Sequence, residues 1–458
     1  MKTHHPLCGL CAALCFFSLC CFSALLACSE GGALCPPHRV QQGDNCVPLE
    51  NDAEKPLWQW CGENHASLES DSQHCGACNQ ACAQTQYCAN GQCHMCNGES
   101  RVYAACFLTG HVAVLSSETQ SRVALERVGA NPQALSGMGE VLLCADDQAR
   151  LLWRLNAQTL KEVGEAVSIG AIPIHVATSG SQIYVTNAAS STLQVIDSRT
   201  WQTRAELNFG RNTYPQAFVR VGEYGFVPLY GNLFADTQPG QRLVRLNLSN
   251  PDALVREGEA DFSNLDLHSY AGITSPRPMP YDVLHHQGAL YVALNNLDEE
   301  TCAAGYCVPA GPGLVAKVDP YTLHTSTLLL GDECLNAVSL TSNGKLLVAS
   351  CAGSWRQGEE GRGSGLALME GDEVKSRWVA PSGFYPGVMA SKCDELWVAN
   401  ANGGDVYLFS TEGGRLRLLR GTDSSGASGS EGGPMATCPL VLRGKAEVAT
   451  VQSLWLKP

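Results

Sequence analysis

The segment from Ile183 to Phe209 constrains the fold more than any other part of the chain. It reads Ile183-Tyr184-Val185-Thr186-Asn187, a turn of small residues, Thr192 to Asp197, a second turn, then Thr203 to Phe209. Short apolar and β-branched runs separated by turn signals specify strands, not helices. The strand that carries Val185 has equivalents at Tyr103, Leu143, Val227, Val292, Val348 and Val398, at spacings of 40, 42, 42, 65, 56 and 50 residues. A period near 40 to 45 with several strands per unit is that of propeller blades. The expected fold is all-β, a seven-bladed β-propeller over residues 99–458, preceded by a small disulfide-rich module over 61–98.

Each blade would hold four antiparallel strands. In the third, the innermost begins at Pro173 and the others follow at 183–186, 193–197 and 204–209. Pro132, Pro173, Pro215, Pro280 and Pro386 open five inner strands, where a missing amide does least harm to the ladder. Closure of the ring is open at this stage. Pro434 to Leu442 reads as an inner strand and Ala446 to Gln452 as a second strand, yet Val102 to Cys106 also reads as a second strand. Either way the two termini must pair, because a ring with free edges would aggregate.

The Tyr184-Val185-Thr186-Asn187 run, followed by Val195-Ile196-Asp197, resembles the YVTN family of bacterial β-propeller repeats. Trp397-Val398-Ala399-Asn400 is a second match and Leu290-Tyr291-Val292-Ala293 a third. The resemblance covers roughly 350 residues and implies a fold, while leaving the activity open, since propellers host enzymes, binders and scaffolds alike.

The N-terminus points to export. Lys2 precedes an apolar run from Leu10 to Ala27, and polar Ser29-Glu30-Gly31-Gly32 follow, the order of a secretory signal. Its end, Leu25-Leu26-Ala27-Cys28, resembles the bacterial lipobox. That resemblance implies cleavage after residue 27, a diacylglycerol on Cys28 and a membrane anchor. Ser29 after the lipidated Cys implies the outer membrane of the cell envelope, facing either the periplasm or the outside. Residues 28–60 then read as a tether. The 23 cysteines also indicate an oxidising compartment.

In the module, Cys75, Cys78, Cys82, Cys88 and Cys93 form the pattern C-G-x-C-x3-C-x5-C-x2-G-x-C. It resembles small cysteine-rich modules of secreted proteins, the stigma-specific type among them. So short a segment needs disulfides in place of a core. Zinc held by Cys75, Cys78, Cys93 and Cys96 is the alternative, and the export signal weighs against it. Nine cysteines between 35 and 96 leave one that stays free or reaches outside the module. In the propeller, Cys334 with Cys351, Cys302 with Cys307, and Cys106 with Cys438 are candidate bridges. Cys144 and Cys393 are left over, read as two buried thiols unless one docks the module.

Four insertions fall on one face: Asn232 to Gln241, Asp261 to Pro280, Asn295 to Gly313 and Ala352 to Gly365. Insertions on one face of a repeat protein often mark its binding face. The inner strands add Gln133, His175, Gln216, Asp282 and Asn336 at the channel mouth on that side. His175 and Asp282 are an acid–base or metal pair only against the simpler reading of wet channel polarity. Asp197 and Asp319 read as turn-capping carboxylates. No nucleophile elbow, phosphate loop, haem motif or metalloprotease motif is present, so no catalytic residue, metal or cofactor is expected. The net charge of −14 and the lack of a basic stripe argue against nucleic acid. Two functions remain. One is an envelope lipoprotein that binds a protein, peptide or glycan through the looped face of blades 4 to 6. The other is a periplasmic enzyme of the lactonase or dehydrogenase type, which the YVTN resemblance implies.

Overall fold

A computed structural model describes residues 39–42, 45–48, 58–61, 64–68, 71, 73–83, 86–89, 91–96, 100–231, 241–303, 307–354, 356, 358–401, 403–420, 435–438, 441–443, 446–448 and 451–457. The leader, Cys28, Cys35 and most of the insertion Asn232 to Gln241 lie outside the described residues. The chain divides into two compact units, Met1–Lys55 and Pro56–Pro458. In the first, Arg39–Gln42 pairs antiparallel with Asn45–Pro48.

The second unit contains seven antiparallel sheets, each built from inner to outer strand in chain order except at the closure. Blade 2 is Pro132–Met138, Val141–Asp146, Leu151–Asn156 and Val167–Ser168. Blade 3 is Pro173–Ser179, Gln182–Asn187, Thr192–Asp197 and Gln202–Asn208. Blade 4 is Val219–Val221, Tyr224–Leu229, Arg242–Asn247 and Val255–Asp261. Blade 5 is Pro280–His286, Ala289–Leu294, Gly313–Val318 and Thr325–Gly331. Blade 6 is Ala337–Ser342, Leu347–Ala352, Ser364–Glu370 and Glu373–Val379. Blade 7 is Pro386–Lys392, Glu395–Asn400, Asp405–Ser410 and Arg417–Arg420, with Met435–Ala436 paired to the far half of its third strand.

The chain closes its ring in blade 1. Its inner strand is Val451–Lys457, paired with Arg101–Cys106, and His111–Ser116 and Ser121–Arg127 complete the sheet. The expectation that Pro434 to Leu442 supplies an inner strand is therefore corrected. Met435–Ala436 extends blade 7 instead, and Val441–Arg443 pairs with Ala446–Val448 in a separate hairpin. The physical reason is the pairing available: Val451–Lys457 runs along the whole of Arg101–Cys106, whereas Met435–Ala436 reaches only Asp405 and Val406. Leu454 and Met435 both pack on the core between blades 7 and 1. In blade 4 the inner strand is also shorter than expected, since Pro215 makes only an isolated bridge to Leu229 before the strand begins at Val219.

Packing explains the strand composition. Every pair of successive blades shares an apolar cluster, from Tyr103 with Leu142 between blades 1 and 2 to Trp397 with Ala113 between blades 7 and 1. A second strand lies between two neighbouring blades and buries both faces, so it reads as a continuous apolar or small-residue run. All six residues of Gln182–Asn187 are buried, as are all six of Leu347–Ala352. The fourth strands are rims. Glu373–Val379 alternates exposed and half-buried residues along its length, which its sequence E-V-K-S-R-W-V matches. Asp197 and Asp319 each accept two backbone amides in the turn after their strand, from Arg199 and Thr200 and from Tyr321 and Thr322.

Tight blade packing makes one glycine diagnostic. Gly313 opens the third strand of blade 5, and a β-carbon there would overlap the backbone carbonyl of Cys334. Gly313→Ala is expected to destabilise the unit by about 2 kcal/mol, the scale of an overpacked core. Chemical denaturation would check it, and an unchanged midpoint would show that Cys334 is not held against the strand.

Candidate functional site

Six of the seven inner strands carry a register shift near their first residue: after Pro132, Pro173, Pro280, Ala337, Pro386 and Val451. A bulge adds a residue to one strand and re-aims its side chains. Repeated around a ring, it directs consecutive residues such as Tyr281 and Asp282, or Val338 and Ser339, toward the axis. The result is a central cavity of about 800 Å³ lined by the inner segments of all seven blades.

All five channel-mouth residues expected from sequence, Gln133, His175, Gln216, Asp282 and Asn336, line this one cavity. Sequence reasoning missed Tyr230, Tyr281, Asn295, Ser339 and Ser453, which also line it. For Tyr281, Ser339 and Ser453 the missing signal was the bulge, which adds axis-facing positions and is invisible in a strict alternation; Tyr230 and Asn295 instead follow the second strands of blades 4 and 5. The lower wall is apolar, from Leu135, Val176, Leu284, Leu340 and Leu454. Cys307 and Leu297 bring the insertion after the second strand of blade 5 to the lip. There Cys302 bonds to Cys307 across a one-turn helix, Glu299–Ala303. The insertion before blade 5 packs on it, with Arg277 Nε donating to Glu299 Oε2 at 2.6 Å and Asn296 Nδ2 donating to the Leu267 carbonyl at 3.1 Å.

Asp282 is tied into the wall. Its Oδ1 accepts the Val283 amide and its Oδ2 the Leu340 amide of blade 6, both at 2.8 Å. The same device recurs at the closure, where Ser453 Oγ accepts the Leu135 amide of blade 2 at 3.0 Å. Inner strands have one edge with no neighbouring strand, and these contacts satisfy part of it. Desolvation pushes the Asp282 carboxyl up to about 6, against the pull of those amides and the Ser339 hydroxyl. Desolvation also lowers the His175 imidazole to about 4, so it is neutral at pH 7, and its buried Nδ1 has no hydrogen-bond partner. Both residues keep a little accessible surface where they line the cavity. Tyr230 and Tyr281 meet edge to face, with ring centroids 5.7 Å apart.

At the opposite end the cysteine-rich module crosses the ring. Its hairpins, Trp58–Cys61 with Asn64–Ser67 and Gln86–Ala89 with Gln92–Met95, are held by Cys61–Cys78, Cys75–Cys88 and Cys82–Cys93. Trp58 packs edge-on to His285 at the end of the blade 5 inner strand, at 5.4 Å. The Lys392 ammonium, at the end of the blade 7 inner strand, donates to Ser100 Oγ at 2.6 Å and lies 5.0 Å from the Tyr87 ring. Cys96 bonds to Cys393 beside it. Cys393 is thus not a buried thiol, and the odd cysteine of the module docks it to the propeller. Cys144 remains the free, buried one. Cys106 bonds to Cys438 and Cys334 to Cys351.

Among the described residues, the group of three or more metal-type ligands brought together is Cys75, Cys82 and Cys93. Their sulfurs are in the disulfides just given and are not free ligands. His175 and Asp282 share the cavity without a third ligand beside them. His285 and His286 lie at the module end, where His286 Nδ1 meets Ser342 Oγ at 2.9 Å. His268 is on the insertion before blade 5, 3.6 Å from Asp266.

No family model matches this chain, and no curated protein resembles it in sequence. Solved structures do share its fold. A provisionally assigned 6-phosphogluconolactonase from Bacteroides uniformis aligns with a TM-score of 0.55 at 13% identity, over 78% of this chain and 99% of that one. A second such protein, from Bacteroides fragilis, aligns with a TM-score of 0.52 at 12% identity, over 79% of this chain and 99% of that one. At such identities the likeness is one of fold.

Proposed function

We propose that this chain is an envelope lipoprotein, anchored through Cys28 at the outer membrane. In this reading its propeller binds a protein, peptide or glycan without catalysis. The partner approaches the looped face of blades 4 to 6 and inserts a group into the central cavity. The observation that carries the reading is the cavity itself, in the size range of ligand sites and lined by aliphatic side chains together with convergent polar groups. The module sits at the other end, which leaves the insertion side for entry.

Two substitutions test it. Val338→Trp would fill the cavity from the blade 6 bulge, and Glu300→Lys would reverse charge on the lip insertion. Binding of peptides and oligosaccharides, measured by thermal shift and calorimetry, should be lost in the first and weakened in the second. A ligand that binds Val338→Trp with parental affinity would rule the cavity out as the site.

A second reading is supported by the Asp282 carboxyl raised to about 6 in the same cavity as a neutral histidine. Perturbed groups in a cleft are the usual mark of acid–base chemistry. In this reading the chain is a propeller enzyme of the lactonase or dehydrogenase type. Lactone turnover that vanishes in His175→Ala, with ligand binding retained, would select it over the first.

A further inference from the structure

The polar groups of the cavity are unbalanced in a way that specifies a ligand. Among the described residues, those lining it include one acid, Asp282, and no lysine or arginine. Two of its side-chain amides have fixed orientations. Gln216 Nε2 donates to the Tyr214 carbonyl at 3.3 Å, and Asn336 Nδ2 donates to the Gly353 carbonyl at 3.3 Å. Their oxygens, Gln216 Oε1 and Asn336 Oδ1, are buried with no donor. The two residues are only 6% and 5% exposed. A buried acceptor left without a donor costs about 1–3 kcal/mol, so the cavity gains from a ligand that brings donors.

Asp282 has room for one more. Each carboxylate oxygen offers two acceptor sites. The Val283 and Leu340 amides and the Ser339 hydroxyl fill three of the four. Gln216, Asp282 and Asn336 belong to blades 4, 5 and 6 in succession, the blades that carry the insertions. Beside them are the Tyr230 and Tyr281 rings, whose faces favour a cation. Below them the wall is aliphatic.

Building on the binding role proposed above, we propose that the cavity takes a primary alkylammonium group on an apolar stem. An ammonium offers three donors and no acceptor, and the side chains on this wall that lack a full set of donors are Asp282, Gln216 and Asn336. The stem fits the aliphatic wall. A guanidinium brings five donors to the same three acceptors, and a carboxylate or phosphate meets no cation. Two sources share this chemistry: a free amine, and the lysyl side chain of a peptide or protein.

Calorimetry on the intact chain at pH 7.5 separates the outcomes. The probes are n-hexylamine, 1-hexanol, hexanoate and an N-acetylated, C-amidated tripeptide with a central lysine. Hexylammonium should bind at least about tenfold tighter than hexanol, the scale of one charge-assisted hydrogen bond, and hexanoate should not bind. Gln216→Leu should weaken the ammonium about tenfold and Gln216→Glu should tighten it, with Asp282 and its amide contacts left in place. Tighter binding of the tripeptide than of hexylamine assigns the site to a lysine-bearing partner, and the reverse order assigns it to a free amine. Hexanol or hexanoate binding as tightly as hexylamine would overturn the ammonium inference and leave the cavity-binding role standing. Hexylamine binding that survives Val338→Trp would overturn both, and so would the failure of all four probes to bind.

Discussion

Removing Cys96–Cys393 and Cys106–Cys438 together should destabilise the Pro56–Pro458 unit by more than the sum of the separate losses. The two bridges cross: each spans about 300 residues of chain, 297 for the first and 332 for the second. With the first intact, the second closes only the ten residues from 96 to 106 and the 45 from 393 to 438. On the chain-entropy account a loop of about 55 residues contributes ~4 kcal/mol and one of about 300 nearly 6. Each single removal should therefore cost up to ~4 kcal/mol, and the pair should exceed additivity by ~1.5 kcal/mol. Denaturant unfolding of Cys96→Ala/Cys393→Ala, Cys106→Ala/Cys438→Ala and the quadruple variant measures the cycle. Simple additivity would mean that the bridges do not constrain a common unfolded loop. Among the described residues the free thiol is Cys144, and it is a poor partner for exchange because it is fully buried and burial pushes its thiol far up.

The propeller was legible because its second strands are buried on both faces. Tyr103, Leu143, Val185, Val227, Val292, Val348 and Val398 all fall in those strands, and a strand with no solvent face leaves an apolar signature wherever it recurs. The inner strands were legible through their opening prolines in blades 2, 3, 5 and 7. The closing strand Val451–Lys457 was not, because nothing in Val-Gln-Ser-Leu-Trp-Leu-Lys announces that it must pair with a strand some 350 residues earlier. Five cavity residues followed from counting along the inner strands. Their companions Tyr230 and Tyr281 did not, since one follows the end of a second strand and the other occupies a bulge. The docking of Cys96 on Cys393 is a tertiary fact of the same kind. The pairing joins residues 297 apart, and no local pattern selects Cys393 over Cys144.

Acidification from pH 6.5 to 4 should weaken the fold through two histidines. Desolvation lowers both His175 and His286 from 6.5 to about 4 in the native state. Between those values the unfolded chain binds protons that the native state does not, so stability falls as pH drops through the window and levels off below it. Each histidine contributes up to ~3 kcal/mol of this loss, at 1.36 kcal/mol per pKa unit. Asp282 acts in the opposite sense. Its carboxyl lies at about 6 when folded and 3.8 when unfolded, so the native state takes up its proton first and gains stability over nearly the same range. Glu395 and Asp405, both raised by desolvation, act in the same sense as Asp282. The parent slope is therefore a difference of opposed contributions, and the substitutions isolate them. His286→Gln keeps a partner for Ser342 and should flatten the decline between pH 6.5 and 4, and His175→Gln should do the same from inside the cavity. Asp282→Asn should steepen it, since the opposing gain is lost. The measurement is the denaturant midpoint from pH 7 to 4 for the parent and the three variants. Parallel curves for parent and His175→Gln would show that His175 charges freely, which requires water or an anion at its Nδ1, buried and without a hydrogen-bond partner in the native structure.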